Sequence, residues 1–467
     1  SNALIDAQSA ATRKQRVEPN QTKISQFEEE NTSLEELRTK FNSLKSKVAQ
    51  FNTISGGGLA KSATSANEAV VSATALNSAT NGSYTVTVTQ KAKNAVVSFD
   101  DRYNSTSALI ASGINNGDPE ANRTVTVTVG TGTNETEVAV PITSTTTISE
   151  FVAQFNSATT KAQAQLVNLG TTDAPSYAIV ISSTNEGVDK GQVTVSVGSS
   201  VSGAGAFTSN TTSQAANSQF TVSGISGTIT RSSNSVTDVI PGLTLNLVST
   251  GTTTVTVNDD ITTTQGRVQE LVDSFNEIIN YIKDNNSISQ ESDSTGEIQN
   301  VFGILARTRT DDDSLRLIKD ALASTNYTSG EFVKIFPDFG VTTERDGTLK
   351  FDTAKFQEAM NKEPTSVNQV LQKFADATSV TGGVLDVITR FNGSIDITVN
   401  SNKSQIEGLN KRISEAEAFI ARQEDEMRAR FARLESTISR MQSQQSQLTN
   451  ALAGLSRSVS YTHLRAH

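Results

Sequence analysis

The sequence predicts a multidomain α+β protein in which helices from both ends of the chain form a coiled coil and β-rich domains occupy the middle. Three observations support this fold class. Apolar residues repeat every seven positions near the C-terminus, and a matching apolar stripe lies near the N-terminus. The segment between them is rich in Ser, Thr, Gly and Val and alternates in polarity. Sustained heptads predict paired helices, whereas alternation predicts half-buried strands.

The C-terminal stripe predicts one long helix, because no proline interrupts it. From Ile406 to Leu455 such a helix is about 75 Å long, at about 1.5 Å per residue. It needs an equally elongated partner, since each stripe residue left in water loses about 1.5–3 kcal/mol of the stabilisation that burial provides. The stripe consists of Ile406, Ile413, Ile420, Met427, Leu434, Met441, Leu448 and Leu455, beside a second track of Leu409, Ala416, Phe431, Ile438 and Leu452.

The N-terminal stripe supplies that partner. It follows alternating steps of three and four residues, with one gap at Asn31, and predicts a helix over Val17–Phe51 that ends before three consecutive glycines at 56–58. The stripe residues are Ile24, Phe27, Leu34, Leu37, Phe41, Leu44, Val48 and Phe51.

Composition excludes several classes of protein. The 467 residues carry a formal net charge of −10 without a dominant basic patch, so nucleic acid is an unexpected partner. The absence of cysteine excludes disulfides, thiolate metal sites and cysteine nucleophiles. No apolar run approaches the roughly 20 residues that span a bilayer, so membrane insertion is not expected.

The two termini carry their own expectations. Ser1-Asn2-Ala3 has the composition of a cloning scar, so the native start is expected to be missing, and no secretory signal is visible. Residues 456–467 break the heptad and contain both histidines, so we expect a disordered or non-native tail rather than a histidine site.

The middle of the chain alternates apolar and polar residues. Gly82–Val88 predicts a strand entered from a turn, and 123–197 predicts a module of strands with one helix at Ile148–Phe155. Gly198–Gln219 has few large apolar residues and predicts a linker or long loop. Strands resume over Phe220–Val257.

Helices return after residue 262. A wide apolar stripe from Val268 to Ile282 predicts a core-facing helix. Shorter helices are predicted around Leu315–Leu322, Phe356–Met360 and Val367–Phe374 before the long C-terminal helix.

Three acidic segments deserve comparison with metal or catalytic sites. Asp311-Asp312-Asp313 precedes a helix, which favours a capping role over cation binding. Arg345–Asp352 lacks the alternating ligands of a calcium loop and predicts a hairpin turn. Asp259 and Asp260 are adjacent on a strand and point apart. With no phosphate loop or nucleophile motif, we predict neither catalytic residues nor a cofactor or metal site.

Several segments resemble, in order along the chain, the bacterial flagellar filament cap family (FliD, flagellar hook-associated protein 2). The likeness covers nearly the whole sequence, and the two terminal helices enclose it. The similar segments are Gly82–Gln90; Ser233–Asp238 with Pro241–Leu245; Val268–Ile282 with Phe275-Asn276-Glu277; and Gly340–Thr343 with Asp346–Leu349 and Asp352, which resembles the family's G-I-T-x-x-D-G-x-L-x-x-D region.

The resemblance implies a nested architecture of coil, leg and head domains. The expected divisions are an N-terminal coil helix at 4–55, leg segments at 56–95 and 251–400, a head domain at 96–122 and 198–250, an inserted α+β head domain at 123–197, a C-terminal coil helix at 401–455 and the tail at 456–467.

The resemblance also implies a function. A ring-shaped homo-oligomer would sit at the extracellular tip of the flagellum, retain exported flagellin and promote its folding and insertion. The implied partners are flagellin, hook–filament junction proteins and an export chaperone, and the implied route out of the cell is the flagellar type III system. Two alternatives remain from the sequence: a flagellin-like or hook–filament junction structural protein, and a Ser/Thr-rich surface adhesin. An enzyme is the weakest hypothesis.

Overall fold

The computed structural model describes residues 2–292, 298–324 and 330–463, and it divides into two compact units. The helical unit consists of Ser1–Asn52 and Arg267–His467, so it is built from both ends of the chain. The inserted unit is the continuous segment Thr53–Gly266. The α+β fold class, with a long C-terminal helix and β-rich central domains, is confirmed.

The N-terminal arm is a helix with one break. It consists of α1 (Asn2–Arg16) and α2 (Glu18–Ala49), separated at Val17. Pro19 has no N–H for a helical hydrogen bond, which places the irregularity at this point. The helix begins well before the predicted start at Val17, because alanine-rich residues 3–11 favour helix and Ile5 is buried.

The inserted unit is mostly strand. In chain order, its strands are β1 Lys61–Ser65, β2 Val71–Ala75, β3 Gly82–Gln90, β4 Val96–Phe99, β5 Thr124–Val129, β6 Thr136–Pro141, β7 Ala162–Asn168, β8 Tyr177–Ser183, β9 Val193–Val197, β10 Asn210–Ser213, β11 Ser218–Val222, β12 Ile229–Arg231, β13 Ser235–Ile240, β14 Leu243–Leu247 and β15 Gly251–Asp259. Its helices are α3 Ile148–Ala158, α4 Val188–Gly191 and α5 Ser199–Gly203.

Two antiparallel sheets form the first core of this unit. One sheet has the order β1-β15-β3-β11-β12, and the other has the order β13-β14-β2. Their alternating apolar residues share one buried cluster that includes Val86, Phe220 and Leu245. Strands from residues 61–90 and 218–259 therefore depend on one another for burial.

A second core lies within residues 95–215. It combines the sheets β10-β4-β8-β7 and β6-β5-β9 with helix α3. The ring of Phe207 meets Phe99 edge-on, with centroids 4.6 Å apart, and lies 5.3 Å from that of Phe151. Thr147 begins α3 with a capping box, since its side chain accepts from the Glu150 N–H.

These cores correct two expectations. The two predicted leg segments do meet, since β1 and β3 pair with β15, but β3 also pairs with β11, which was assigned to the head domain. The divisions at 122–123 and 197–198 do not separate domains either, because β4 pairs with β8 in one core. Gly198–Gln219 is not a free linker. It contributes α5, β10 and the buried Phe207, whose large ring stabilises a segment of otherwise small residues.

The helical unit continues after the inserted unit. Its further helices are α6 Ile261–Asn285, which begins in the inserted unit, α7 Thr310–Ala323, α8 Thr353–Lys362, α9 Pro364–Thr378, α10 Val384–Thr389 and α11 Ser394–His463. Two hairpins accompany them: β16 Ile288–Ser292 with β17 Ile298–Phe302, and β18 Val341–Thr343 with β19 Leu349–Phe351.

The core of the helical unit joins these helices. The predicted stripe of α6 is buried, and phenylalanines from several elements form a contiguous cluster. Phe336 contacts Phe339 and Phe374 with centroids about 5 Å apart, and Phe356 contacts Phe339 at 6.2 Å. The Phe336–Phe374 and Phe339–Phe356 pairs meet edge-to-face, which adds specific geometry to burial.

Three expectations for this region need correction. Helix α11 begins at Ser394 rather than at 401, after the separate short helix α10. It also continues to His463, so residues 456–463 are helical rather than disordered, and 464–467 lie outside the described residues. The acidic triplet does not cap α7: Arg309 occupies the N-cap position, and Asp311 is fully buried inside the first turn.

Candidate assembly site

The two ends of the chain meet side by side in the helical unit. As numbering falls along the N-terminal arm, it rises along the C-terminal helices, which defines an antiparallel pair. Lys45 binds Asp386 at 2.7 Å and Arg38 binds Asp396 at 3.1 Å. Farther along, Arg13 binds Glu417 at 3.1 Å. The register is therefore fixed by ionic contacts as well as by packing.

A buried polar contact lies between these ion pairs. Asn402 of α11 is 4% exposed, and its amide donates to Glu30 at 3.1 Å and to Asn31 at 3.0 Å. Asn31 is the position where the N-terminal stripe breaks its apolar pattern. The buried amide of Asn402 specifies the register of α11 against α2, because a shifted pairing would leave this amide without a hydrogen-bond partner.

Asp386 and Asp396 tie the C-terminal helices to α2 in the same manner. In each carboxylate, Oδ2 accepts a backbone N–H from the residue four positions earlier, Gly382 or Asn392. Oδ1 accepts from the cation on α2. The backbone N–H is the main cause that lowers the pKa of each carboxyl, and the α2 cation lowers it further.

The predicted N-terminal stripe residues are mostly buried. Ile24 and Phe27, which lie nearer the start of α2, are half-buried. The completely covered members are Leu34, Leu37, Phe41, Leu44, Val48 and Phe51. These residues face the core of the helical unit, so this part of the stripe has a partner within the chain.

The predicted C-terminal stripe divides into two halves. Ile420 is buried, while Ile406, Ile413 and Met427 are half-buried. Leu434, Met441 and Leu448 are 53%, 64% and 66% exposed. In the antiparallel register set by Arg13 and Glu417, the described part of α1 lies beside α11 as far as about Met427. The side chain of Leu455 lies outside those that the structure describes.

Tyr281 fastens α6 to the opposite side of α2. Its hydroxyl contacts the Ser33 carbonyl at 3.1 Å and Glu36 at 2.9 Å, and Lys40 lies 5.3 Å from its ring centroid. Burial and the neighbouring Glu36 carboxylate raise the pKa of Tyr281 to about 12. The hydroxyl therefore remains a hydrogen-bond donor at physiological pH.

The ionic residues of this site were not predicted from the sequence. A signal for them is present, because Gly383-Val384-Leu385-Asp386 and Gly393-Ser394-Ile395-Asp396 repeat the same pattern ten residues apart. Each copy places an acidic residue in the first turn of a helix. The partner cations, Arg38 and Lys45, are seven residues apart and hence lie on one face of α2.

The rejected acidic segments have structural roles. Asp259 pairs with Lys61, and Asp260 accepts from the N–H and hydroxyl of Thr263 at the start of α6. Asp346 accepts from the Thr348 N–H and hydroxyl in the turn between β18 and β19. The hairpin prediction for that segment is confirmed, with Gly347 at a φ of 89°.

The described residues have neither the ligand cluster of a metal site nor a helix suited to a membrane span. No group of three or more His, Cys, Asp or Glu side chains there has the arrangement of a metal site. None of the described helices is both long and apolar enough for a membrane span.

Comparison with known families gives two matches in chain order. The family model for the flagellar hook-associated protein 2 N-terminus matches residues 1–95, and the model for the flagellar hook-associated protein 2 C-terminus matches residues 215–453. Together they cover residues 1–95 and 215–453, which include most of both parts of the helical unit.

Individual relatives carry the same name. Flagellar hook-associated protein 2 of Campylobacter jejuni is 28% identical over 203 residues, which cover 42% of this chain and 30% of that protein. The A-type flagellar hook-associated protein 2 of Pseudomonas aeruginosa is 26% identical over 271 residues, covering 55% and 54%. The chain thus spans about a third to a half of the length of these relatives.

A solved structure shares the fold. The D1-D2-D3 domains of the flagellar cap protein FliD from Escherichia coli superpose with a TM-score of 0.56 at 21% identity. The superposition covers 80% of this chain and 99% of that one.

Proposed function

The chain belongs to the flagellar hook-associated protein 2 family, and on this premise we propose that it caps the tip of the bacterial flagellar filament. In this proposal it forms an oligomeric ring outside the cell, retains exported flagellin and promotes its folding and insertion. Flagellin and hook–filament junction proteins are its partners. It reaches the tip through the flagellar type III channel, assisted by an export chaperone.

The observation that carries the proposal is the nested construction of the chain. Both ends fold into one helical unit, and the whole β-rich segment is inserted between them. A helical unit closed by its own two ends suits a leg that stands on a helical filament. An inserted unit with two cores of its own suits a head that keeps its shape while the leg adapts.

Ring formation and catalysis make different demands on a structure. The contacts that join the chain ends are ion pairs, a buried amide and apolar packing, which specify geometry rather than reactivity. We therefore propose a structural protein rather than an enzyme.

Electron microscopy of the purified chain tests this proposal. We expect closed rings of several subunits that bind to the ends of flagellar filaments. Long filaments formed by the chain alone would indicate a flagellin-like protein. Monomers that bind cell surfaces but not filament ends would indicate an adhesin.

A further inference from the structure

A cationic groove runs along the helical unit. It has a volume of about 620 Å³ and lies between α2, the 3₁₀ turn Ile304–Arg307 and α11. Lys23, Arg307 and Arg412 line it from these three elements, and all three side chains are exposed. Within the described part of the chain, none of the three forms an ion pair.

One carboxylate lies in the same groove. Glu30 is 7% exposed and accepts the amide of Asn402, so it already has a structural partner. Three cations against one carboxylate leave two positive charges in excess. Unpaired cations that converge on one concave surface favour a negatively charged occupant.

The groove has room for an occupant. Gly408 of α11 lines it, and a Cβ atom at this position would meet no other atom within 4 Å. Gln26, Thr308 and Gln405 add hydrogen-bonding groups to the lining. The surface is therefore open and polar rather than filled by neighbouring side chains.

The same unit presents a complementary surface, an acidic stripe on α6. Asp273, Glu277 and Asp284 are four and seven residues apart, so they lie on one face of the helix. This face is opposite the buried apolar stripe, and the three side chains are exposed. They form no ion pair among the described residues.

The groove and the acidic stripe are separate surfaces of the helical unit, since none of the three acidic residues lines the groove. Helix α11 contacts α2 through Arg38, and α10 contacts it through Lys45. Helix α6 contacts α2 through Lys40 and Lys47, whose positions are roughly 80–120° around the helix from the groove residues Lys23 and Glu30. Two different surfaces of one subunit that do not overlap permit head-to-tail association, which closes into a ring when the rotation allows.

We propose that the cationic groove of one copy binds the acidic stripe on α6 of the next copy. The inference rests on the proposed ring function and names the contact that joins neighbouring helical units. Lys23, Arg307 and Arg412 pair with Asp273, Glu277 and Asp284 across the contact. A polar, charged interface suits units that must shift as the filament grows, because its ion pairs re-form at small displacements.

Charge reversal in the groove is the first test. In the full chain, Arg412→Glu combined with Lys23→Glu should weaken self-association by at least about tenfold, measured by sedimentation velocity at 0.15 M salt. Lys411→Glu combined with Lys14→Glu is the matched control, because the pair makes the same total charge change at exposed positions outside the groove lining. Equal association of the groove variant and the wild-type chain overturns the proposal.

The reciprocal change separates charge pairing from misfolding. Adding Asp273→Lys and Glu277→Lys to the groove variant restores attraction with reversed polarity, so association should recover. Wild-type association should also fall as salt rises, since the screening length shortens from about 8 Å at 0.15 M to about 3 Å at 1 M. The quadruple variant should have the circular dichroism of the wild type. If it is folded in this way but its self-association does not recover, the proposed pairing is wrong.

A neutral plug tests the groove without changing charge. Gly408→Leu extends a side chain into the open space and improves helix propensity, so the fold is retained. We expect this variant to associate at least about tenfold more weakly than the wild type, with an unchanged or higher melting temperature. If a folded Gly408→Leu chain associates as tightly as the wild type, the assignment of the groove is overturned.

Cysteine cross-linking identifies the two surfaces directly, because the chain has no cysteine of its own. Gln405→Cys marks the groove and Asn280→Cys marks the α6 face. Mixing the two single variants under mild oxidation should give disulfide-linked heterodimers in excess over either homodimer. Rings without this cross-link overturn the inference but leave the cap proposal intact. The absence of rings in the wild-type chain overturns the cap proposal, and the inference with it.

Discussion

Asp386 and Asp396 each use one carboxylate to fix two parts of the helical unit. One oxygen accepts a backbone N–H at the start of its helix, and the other binds a cation on α2. Each of these N–H groups lies just before its helix, so the carboxylate fixes the chain that enters the helix while it positions a distant helix. Two such residues, ten apart in sequence, fix both the rotation and the register of the C-terminal helices.

These two residues predict a loss of stability in acid. Their folded pKa values are lowered, so the stability they contribute is present above the ordinary value of 3.8 and is lost as pH falls through the folded pKa. The double variant Asp386→Asn/Asp396→Asn should be less stable than the wild type at pH 7 and should lose less stability between pH 5 and pH 2. Urea unfolding at several pH values checks this. Identical pH profiles for the two proteins would contradict it.

For Asp311 we predict the opposite dependence of stability on pH. Its side chain is fully buried, Oδ2 accepts a long hydrogen bond of 3.3 Å from Asn286, and Oδ1 has no partner. Burial raises the pKa of this carboxyl to about 6. Since the folded value lies above the ordinary one, stability is greatest below pH 4 and declines as pH rises through 6.

Asp311→Asn removes the free-energy cost of burying an ionised carboxylate at neutral pH. We expect the variant to be more stable than the wild type by about 1 kcal/mol at pH 7.5 and nearly equal to it at pH 4. Asp312→Asn, on the exposed side of the same turn, is the matched control. The melting temperatures of all three proteins at both pH values provide the measurement. A destabilised Asp311→Asn chain at pH 7.5 would rule out this explanation.

At the scale of elements, helix α11 has two halves with different requirements. The first half packs against α1 and α2, and the second carries exposed apolar residues. Ile420 and Leu434 occupy equivalent heptad positions, so sequence alone treats them alike. The structure separates them, because the described part of α1 lies beside Ile420 and not beside Leu434.

This division predicts unequal effects of the same substitution. Ile420→Asp buries a charge and should cost about 3 kcal/mol or more, while Leu434→Asp should change monomer stability by less than about 0.5 kcal/mol. Guanidinium unfolding monitored by circular dichroism measures both. Equal destabilisation by the two variants would show that the second half of α11 is buried as well.

Sequence patterns predicted the helices well where periodicity is long. The stripes of α2, α6 and α11 and the alternating strands β3, β5 and β15 lie where period and polarity place them. The pairing of those strands was not accessible in the same way, because β3 joins β15 across more than 160 residues. The segment 198–219 was misassigned for a related reason: its one large ring, Phe207, is buried by contacts with distant elements.

The assembly site was only partly predictable. Apolar stripe residues identify themselves by repetition, whereas the ion pairs Lys45–Asp386 and Arg38–Asp396 join residues about 340 and 360 positions apart. A single sequence does not show which lysine meets which aspartate. The cationic groove is also invisible in composition, since the chain is acidic and its three cations come from three separate elements.

At the scale of the whole molecule, the inserted unit has the features of an independent domain. It contains two apolar cores that are composed entirely of its own residues. Its first strand, β1, pairs along its whole length with β15, the last strand of the unit. The ends of the unit are thereby held together, which is the usual arrangement in inserted domains.

A fragment of residues 53–266 is therefore expected to fold on its own. It should give a cooperative thermal transition and dispersed NMR spectra. The shorter fragment 84–257 is the control: it lacks β1 and β2 and truncates β3 and β15, so it should be partly unfolded or aggregated. If 53–266 is unfolded while the full chain is folded, the inserted unit depends on the helical unit and the two-unit description fails.

The central proposal is that the helical unit and its insert together form a filament cap. Retention of flagellin at the filament tip is the property that distinguishes a cap from other flagellar structural proteins. The amount of monomeric flagellin in the culture medium of a strain that lacks this protein measures it most directly. We predict intact hooks, few or no filaments, and exported flagellin recovered as soluble monomer. Full-length filaments with no flagellin in the medium would contradict the account.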